Sequence, residues 1–255
     1  MTPIFSSSSF SLSGKRAFVA GGSKGIGGAA AEALASAGAH VTVSARGEAD
    51  LSAVCKRIRA IGGTADFVCL DVTHSTAVQN FFEHHEAFDI LINSAGSNRP
   101  KLLVETPDSD IDEILALNLK AAFYLTREFA KRAIAADRPG SIVHVSSQMG
   151  HVGGAKRSLY CASKHGLEGM TKALSWELGP YGIRVNTLSP TFIETEMTAP
   201  FLSEPGFRDD VISKIALGRL GTLQDIVGAV VFLASDASSL MTGTTLKLDG
   251  GWTAV

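Results

Sequence analysis

Near its N-terminus the chain reads Arg16-Ala17-Phe18-Val19-Ala20-Gly21-Gly22-Ser23-Lys24-Gly25-Ile26-Gly27-Gly28, followed by an alanine-rich run from Ala29 to Ala37. The first five residues include a short apolar run, which predicts a buried strand. The glycines that follow predict a tight turn, and the alanines favour a helix. Gly38 stands where it would end that helix. The stretch therefore predicts a strand, a glycine turn and a helix, in that order.

The same alternation continues to the C-terminus. Further strands are predicted at 40–44, 66–71, 89–93, 141–146, 182–188 and 244–248, and further helices at 51–61, 75–86, 108–136, 159–178 and 223–235. Strands that alternate with helices form βαβ units and a parallel sheet, and strands without a period-two pattern are buried on both sides. We therefore predict an α/β protein with one doubly wound, mostly parallel sheet of about seven strands and helices on both faces.

The pattern predicts one domain, because neither a linker nor a repeat of fixed period interrupts it. Residues 1–13 are rich in serine and are interpreted as a flexible leader, which leaves residues 14–255 as the single domain. Residues 191–217 are irregular in pattern. Loops of this kind often close over a binding site, so we expect a substrate-covering segment there.

Composition narrows the classes of partner. The chain has 255 residues, 45% of them hydrophobic, and a formal net charge of −2. This balance gives no electrostatic reason to expect a nucleic acid or an anionic membrane, and no apolar run is long enough to span a bilayer. Three cysteines without a Cys-x-x-Cys motif fit a reducing cytoplasm. His-Glu-x-x-His is also missing, and we expect no catalytic metal.

The glycine turn is a candidate phosphate-binding site. Gly21, Gly25 and Gly27 have the spacing G-x-x-x-G-x-G. Such a turn brings backbone N–H groups and a helix N-terminus against a pyrophosphate, where a Cβ would collide. Glycine turns also occur for packing alone. The position directly after the first strand favours nucleotide binding, because doubly wound sheets bind ligands at the carboxyl ends of their strands.

The end of the second strand bears on which dinucleotide is bound. An acidic residue there would bind the ribose hydroxyls of NAD, whereas an arginine accommodates the 2′-phosphate of NADP. This strand ends with Arg46, and the first acid, Glu48, already stands at the predicted start of the next helix. Arg46 and Lys24 together favour NADP(H), with NAD(H) as the alternative. The competing interpretation is that both are solvated surface cations.

The pair Tyr160 and Lys164 is a candidate for proton transfer. On the predicted helix over 159–178 they lie one turn apart on the same face. A fixed ammonium favours phenolate over phenol, so this spacing predicts that Lys164 lowers the pKa of Tyr160 towards neutral pH. Tyr-x-x-x-Lys also arises by chance on amphipathic helices. Ser147, at the end of the preceding strand, strengthens the functional interpretation.

These motifs together resemble the short-chain dehydrogenase/reductase family of single-domain Rossmann-fold oxidoreductases, from about Gly14 to Gly251. The resemblance implies four catalytic residues, namely Asn118, Ser147, Tyr160 and Lys164, with Ser147, Gln148 and Tyr160 contacting the substrate. It implies cofactor contacts from Gly21, Ser23, Lys24, Gly25, Ile26, Gly27, Arg46, Asp71, Val72, Asn93, Ala95, Gly96, Tyr160, Lys164, Pro190, Ile193 and Thr195. Ala20, Ser94 and Thr191 depart from the family pattern at supporting positions.

The reaction implied by this resemblance is hydride transfer with NAD(P)(H) between a secondary alcohol and a ketone. Ser147 would hold the substrate oxygen and Tyr160 would transfer its proton, while Lys164 holds the ribose and Asn118 positions a water. Many polar residues follow the strands, which favours a small polar, polyol- or sugar-like substrate. A 3-oxoacyl-thioester reductase is the first alternative, and a non-catalytic dinucleotide sensor is the second. The resemblance also implies a cytoplasmic homotetramer.

Overall fold

In the computed structural model, which describes residues 7–254, seven strands form one sheet. The strands are β1 (Arg16–Ala20), β2 (His40–Ala45), β3 (Thr64–Cys69), β4 (Ile90–Asn93), β5 (Gly140–Val145), β6 (Ile183–Pro190) and β7 (Thr245–Leu248). Their order across the sheet is β3-β2-β1-β4-β5-β6-β7, and all six neighbouring pairs are parallel. The predicted Rossmann fold is thereby confirmed. The strand order reverses between β1 and β4, where a ligand crevice is expected.

Helices cover both faces of the sheet. They are α1 (Gly25–Ser36), α2 (Glu48–Ala60), α3 (Ser75–Glu83), α4 (Asp108–Leu115), α5 (Ala121–Ala135), α6 (Ser158–Leu178), α7 (Ala199–Leu202), α8 (Phe207–Ser213) and α9 (Leu223–Ala234). Helices α1, α2 and α9 share one apolar core with Ala17 and Val19 of β1. Helices α3 and α5 share the other with Phe18 and Ala20. Successive side chains of a strand point to opposite faces, so β1 contributes to both cores.

The predicted helical region 108–136 is divided by a π-helical turn, Ala116–Lys120, which joins α4 to α5. A π turn widens the backbone spiral by one residue and is frequent at functional sites. Here it carries the buried Asn118.

The predicted leader is partly built into the domain. Residues 1–6 lie outside the described residues, but Ser7–Phe10 forms a 3-10 helix. Leu12 is buried in the core, and its backbone N–H donates to the carbonyl of Ala37. A boundary at residue 14 is therefore too late, because a serine-rich composition conceals one apolar residue that packs under α1.

The segment 191–217 contains the two short helices α7 and α8 rather than irregular chain alone. Its apolar residues Phe192, Val211 and Ile215 pack in a small separate cluster with Leu220 and Trp252, which follow the segment in the chain. Within residues 7–254, no helix combines the length and apolar character needed to cross a membrane.

Candidate active site

The glycine turn between β1 and α1 is packed too tightly for any other residue at two positions. Gly21 has a φ of +72°, and a Cβ there would lie 2.7 Å from the backbone nitrogen of Ala95. A Cβ on Gly27 would lie 2.1 Å from the carbonyl oxygen of Gly21. Both positions therefore require glycine. The turn is held against the loop after β4 at the point where the strand order reverses.

Helix α1 presents an open N-terminus at this turn. The helix begins at Gly25, and the residue before it, Lys24, is extended and provides no side-chain cap. Ser23 precedes it in the turn, and Ile26 packs on the core beneath. The first backbone N–H groups of a helix have no intrahelical partner. They form a site for an anionic group, and the helix dipole favours negative charge there.

The two cations predicted to select the dinucleotide have different surroundings. Lys24 forms ion pairs with Asp50, at 3.3 Å, and with Glu196, at 3.2 Å. These carboxylates, Glu196 first, raise the pKa of Lys24. Arg46 is exposed directly after β2 and has no ion pair with another described residue. Arg46 is therefore available to a phosphate, whereas Lys24 is already neutralised.

Asp71 and Val72 lie after β3, on the far side of the same crevice. The Asp71 carboxylate accepts hydrogen bonds from the backbone N–H and the hydroxyl of Thr73, at 2.9 and 2.7 Å. These bonds, chiefly the hydroxyl bond, hold the pKa of Asp71 below its usual value. Val72 is buried against the second core.

The loop after β4 joins the glycine turn to the polar centre. The side-chain oxygen of Asn93 accepts a hydrogen bond from the backbone of Ala95, at 3.2 Å, and so closes the loop. A Cβ on Gly96 would lie 3.4 Å from Oδ1 of Asn118 and 3.7 Å from Nζ of Lys164. Residues 93–96 therefore lie between the candidate cofactor crevice and the candidate catalytic residues.

Asn118 connects three parts of the chain. Its amide nitrogen donates to the carbonyl of Ser97 and to the hydroxyl of Ser163, both at 3.0 Å. Its amide oxygen accepts from the backbone N–H of Ser97, at 2.9 Å. The side chain thus ties the loop after β4 to α6. In this structure Asn118 fixes the relative position of those two elements.

Ser147 lies just after β5 and faces Tyr160 of α6. The Ser147 hydroxyl donates to Oε1 of Gln148, at 2.8 Å, and accepts from the backbone N–H of Met149, at 3.1 Å. Ser147 also opposes the rise in the pKa of the Tyr160 phenol, so the two groups lie near each other. Ser146 lies one residue nearer the strand, and its hydroxyl is buried without a hydrogen-bond partner among the described residues. The structure thus brings Ser147, rather than Ser146, to the tyrosine.

Lys164 lies one turn after Tyr160, as the spacing predicts, but its ammonium donates to the carbonyl of Val145, at 2.8 Å. Nζ is 5.6 Å from the centre of the Tyr160 ring. Lys164 is buried, and this burial lowers its pKa to about 8. The four predicted catalytic residues therefore converge in one place at the carboxyl ends of β4 and β5.

The predicted lowering of the Tyr160 pKa is wrong for the protein alone. Burial raises the pKa of the phenol, and the opposing influence of the Ser147 hydroxyl is smaller. The ammonium one turn away favours phenolate, but the cost of burying a phenolate is the larger effect here.

A buried carboxylate beside this group was missed by the sequence analysis. Glu168 accepts hydrogen bonds from the hydroxyls of Thr187, at 2.8 Å, of Ser189, at 3.1 Å, and of Thr245. His151 lies 3.4 Å away on its other side. The spacing could have indicated it, because Tyr160, Lys164 and Glu168 fall on one helix face at i, i+4 and i+8. The Glu168 carboxylate partly opposes the effect of burial on the pKa of Lys164.

The covering segment crosses the crevice from the end of β6. Pro190 is the last residue of that strand, and Ile193 is buried where it bridges to Gly221. Cγ2 of Thr195 lies 3.7 Å from the place where Gly25 would carry a Cβ, so the segment passes over the glycine turn. The hydroxyl of Thr191 is buried without a hydrogen-bond partner within residues 7–254. No cluster of three or more metal-ligating side chains occurs in that range.

Known proteins share this arrangement over nearly the whole chain. The family model described as enoyl-(acyl carrier protein) reductase matches residues 20–253. The 3-oxoacyl-(acyl-carrier-protein) reductase FabG of Rickettsia conorii is 38% identical over 240 residues, which cover 94% of this chain and 97% of that protein. The L-xylulose reductase of Bos taurus is 35% identical over 243 residues, covering 95% and 98%.

A solved structure of similar size agrees with this result. A gluconate 5-dehydrogenase from Burkholderia cenocepacia J2315, in complex with NADP and tartrate, superposes with a TM-score of 0.91 at 31% identity and covers 97% of this chain and 98% of its own. The parallel sheet and the family match agree with the motifs in the sequence. The chain therefore belongs to the short-chain dehydrogenase/reductase family and is an oxidoreductase that acts on CH–OH and C=O groups.

Proposed function

We propose that this enzyme interconverts a secondary alcohol and a ketone with NADP(H), and that its substrate is a small polar hydroxy or keto compound of polyol or sugar type. The observation that carries the proposal is the convergence of Ser147, Tyr160 and Lys164 beside the glycine turn. A proton donor and a second hydrogen-bonding group meet there at the edge of a dinucleotide crevice.

The residues of the crevice fit a dinucleotide phosphate. Gly21 and Gly27 leave no room for a Cβ, and the N-terminus of α1 is uncapped. Arg46 is exposed where a 2′-phosphate would need a cation. The orphaned hydroxyl of Thr191 offers a hydrogen bond to a polar group that enters beside it. The similar structure from Burkholderia cenocepacia holds NADP. We propose that NADP(H) is preferred to NAD(H) and that the residues of the crevice named above contact it.

When bound, NADP(H) supplies or accepts the hydride. In the direction of reduction, Ser147 would hold the substrate oxygen by a hydrogen bond, for which its hydroxyl proton turns from Oε1 of Gln148 to the substrate. Tyr160 would donate its proton to that oxygen as negative charge develops on it. The raised pKa of Tyr160 keeps the phenol protonated at neutral pH, which suits this role. Lys164 would then return a proton to Tyr160. Asn118 holds the loop after β4 and helix α6 in their relative positions.

Two observations bear on the substrate. Gln148 is buried and His151 is partly buried, so polar side chains line the part of the site next to Ser147. The bovine and Burkholderia relatives are named for sugar-type substrates, L-xylulose and gluconate. The second candidate is reduction of a 3-oxoacyl thioester, which the 38% identity to the Rickettsia protein favours.

The test is a screen of ketones and alcohols with NADPH, NADH and their oxidised forms, followed at the nicotinamide absorbance. The panel contains ketoses, polyols, sugar acids and a 3-oxoacyl thioester. We expect turnover of sugar-type compounds with NADP(H). Tyr160→Phe should bind NADPH normally yet lose turnover by about 10²- to 10⁴-fold, because a phenyl ring has no proton to donate.

Three results would contradict the proposal. Faster turnover of the thioester would favour the second candidate. NADPH binding without turnover of any compound would favour a sensor. Near-normal turnover by Tyr160→Phe would show that the phenol is not the proton donor. A fluorescence titration with NADPH gives the binding measurement in each case.

We also propose that the enzyme is a cytoplasmic homotetramer. Large apolar side chains are exposed on the two long helices, Phe123 on α5 and Trp176 on α6, the latter with 86% of its surface accessible. A contiguous exposed apolar patch marks a contact surface, and we propose these side chains as parts of such surfaces between subunits. Sedimentation velocity should give about four times the mass of one chain, and a monomer would contradict the proposal.

A further inference from the structure

Arg157 is a buried arginine without an anionic partner. It directly precedes α6, and only 8% of its surface is accessible. Its guanidinium has neither a hydrogen bond nor an ion pair with any described residue, and its nitrogens keep a small accessible surface. A buried cation without a counter-charge is unfavourable, and proteins normally pair it. Arg184, which is only partly buried, donates by contrast to the carbonyl oxygens of Leu233 and Ser235.

Arg157 lies between the covering segment and the loop that leads from Ser147 to α6. The carbon at the centre of its guanidinium lies 5.3 Å from the ring centre of Phe201 in α7, which belongs to the covering segment. Its stem packs against Gly154, in the loop that leads from Ser147 to α6. The charged or titratable groups that influence the pKa of Arg157 are Tyr160, Cys161 and Glu204. Glu204 is exposed and forms no ion pair with Arg157.

We propose that Arg157 binds a carboxylate of the substrate, so that the enzyme acts on hydroxy acids and keto acids in preference to neutral polyols. The planar guanidinium can hold a carboxylate through two parallel hydrogen bonds, and exclusion of water strengthens such a pair. This inference rests on the proposed function and narrows its substrate class.

The position of Arg157 also limits the length of the substrate. Arg157 is the residue directly before α6 and Tyr160 lies in the first turn, so both side chains extend from the same end of that helix. Arg157 also influences the pKa of Tyr160, which agrees with a short separation. A carboxylate held by Arg157 would then lie only a few bonds from the carbon that reacts at Tyr160. A short sugar acid satisfies this distance. An acyl thioester carries its anionic groups much farther from its ketone.

Substrates that differ only in the carboxylate test the proposal directly. Aldonates of four to six carbons are each paired with the alditol of the same length, from erythronate with erythritol to gluconate with glucitol, and NADP⁺ is the oxidant. We expect the wild-type enzyme to prefer the aldonate in at least one pair. Arg157→Met should lower kcat/KM for that aldonate by about 10- to 100-fold, the range of a charged hydrogen-bonded pair, and leave the alditol within about threefold.

Two further variants separate recognition from structure and from net charge. Arg157→Lys keeps the charge but loses the planar fork, so it should recover part of the aldonate activity. Arg208→Met removes one positive charge from α8 of the same covering segment, where Arg208 pairs with Glu194 at 2.8 Å on the surface. It should leave the preference for aldonates unchanged. NADPH affinity should be the same in all four proteins.

The proposal is overturned if Arg157→Met loses aldonate and alditol activity equally, because the arginine would then be structural. It is also overturned if the wild type oxidises alditols but not aldonates, a result that leaves the proposed function standing. If no pair is turned over, the test is calorimetric titration of the enzyme–NADPH complex with gluconate and with erythronate, for the wild type and for Arg157→Met. Binding that Arg157→Met abolishes supports the proposal, and no binding or unchanged binding refutes it.

Discussion

Tyr160 and Lys164 show how a single residue depends on its surroundings. Spacing puts both side chains on one helix face, and the structure keeps them close, with Nζ 5.6 Å from the ring centre. Lys164 nevertheless uses a hydrogen bond on the carbonyl of Val145, and burial moves both groups towards their neutral forms. The pair therefore starts with a protonated phenol and an ammonium whose pKa is about 8.

The pH dependence of reduction should follow Lys164. Its pKa of about 8 means that the ammonium is lost as the pH rises through that value. Reduction needs a proton on the tyrosine and a group to replace it, so kcat/KM should fall above about pH 8. In Lys164→Met this decline should disappear, and turnover at pH 7 should drop by about 100-fold or more, with weaker NADPH binding.

Lys172→Met is the matched control, because Lys172 is exposed on the same helix. It should keep both the rate and the pH profile of the wild type. An unchanged decline above pH 8 in Lys164→Met would show that another group controls the profile.

Arg46 should control the choice between NADPH and NADH. Its guanidinium is exposed and has no ion-pair partner among the described residues, so it is available to a 2′-phosphate. Arg46→Ala should weaken NADPH binding by about 10- to 100-fold, the range for a hydrogen bond between charged groups, and leave NADH binding nearly unchanged. Fluorescence titration with both nucleotides measures this.

Lys24→Ala provides the comparison for Arg46. Lys24 is already paired with Asp50 and Glu196, so its removal should change the ratio of the two affinities less than Arg46→Ala does. A larger effect at Lys24 would assign the selection of the 2′-phosphate to the glycine turn instead of the end of β2.

At the scale of the element, α6 presents one face to the site along three turns. Tyr160, Lys164 and Glu168 follow at intervals of four, and the Glu168 carboxylate is held by hydroxyls from both β6 and β7. The helix is thus anchored on the sheet by the side chain that also influences the Lys164 ammonium. Packing and proton chemistry are coupled through this one residue.

Glu168→Gln should move the alkaline decline of the reduction rate to lower pH. The carboxylate favours the ammonium form of Lys164, and its loss lowers the pKa of Lys164 further. The pH profile of kcat/KM measures the displacement. Glu177→Gln removes the same charge from the exposed side of α6 and should leave the profile in place. A profile that moves equally in both variants would indicate a general effect of net charge.

At the scale of the whole molecule, a buried neutral histidine in the sheet should make the free energy of unfolding depend on pH. His144 of β5 is fully buried, with its ring nitrogens facing Asn93 at 3.4 Å and Thr126 at 3.2 Å. Burial lowers its pKa from 6.5 to about 3. Between pH 6.5 and about 3, His144 is protonated in the unfolded chain but stays neutral in the folded chain. The free energy of unfolding therefore falls as the pH falls.

The loss should amount to about 1.4 kcal/mol for each pH unit, or about 5 kcal/mol over the interval from 6.5 to about 3. His144→Gln keeps a polar side chain that does not titrate, so its stability should decline less between pH 6.5 and 4. Urea unfolding at several pH values measures the difference. His84→Gln, at the exposed end of α3, should follow the wild type. Parallel curves for His144→Gln and the wild type would contradict this account.

Local pattern was enough to predict much of this protein. The order of strands and helices, the glycine turn and the placement of Ser147 and Tyr160 all depend on residues near one another in the chain. The start of α2 at Glu48 and the extent of α6 agree closely with the sequence pattern. Such features are predictable because periodicity and turn chemistry act over a few residues.

Only the tertiary structure decided the electrostatic state of the site. Three features depend on which segments pack over each side chain. They are the raised pKa of Tyr160, the burial of Arg157 without a counter-charge, and the hydrogen bond from Thr245 to Glu168, which is 77 residues away. Leu12 likewise joins the core through contacts that its serine-rich neighbourhood does not reveal. Burial and long-range hydrogen bonds are properties of the assembled fold. The sequence pattern therefore does not determine the charge state of these residues or their partners.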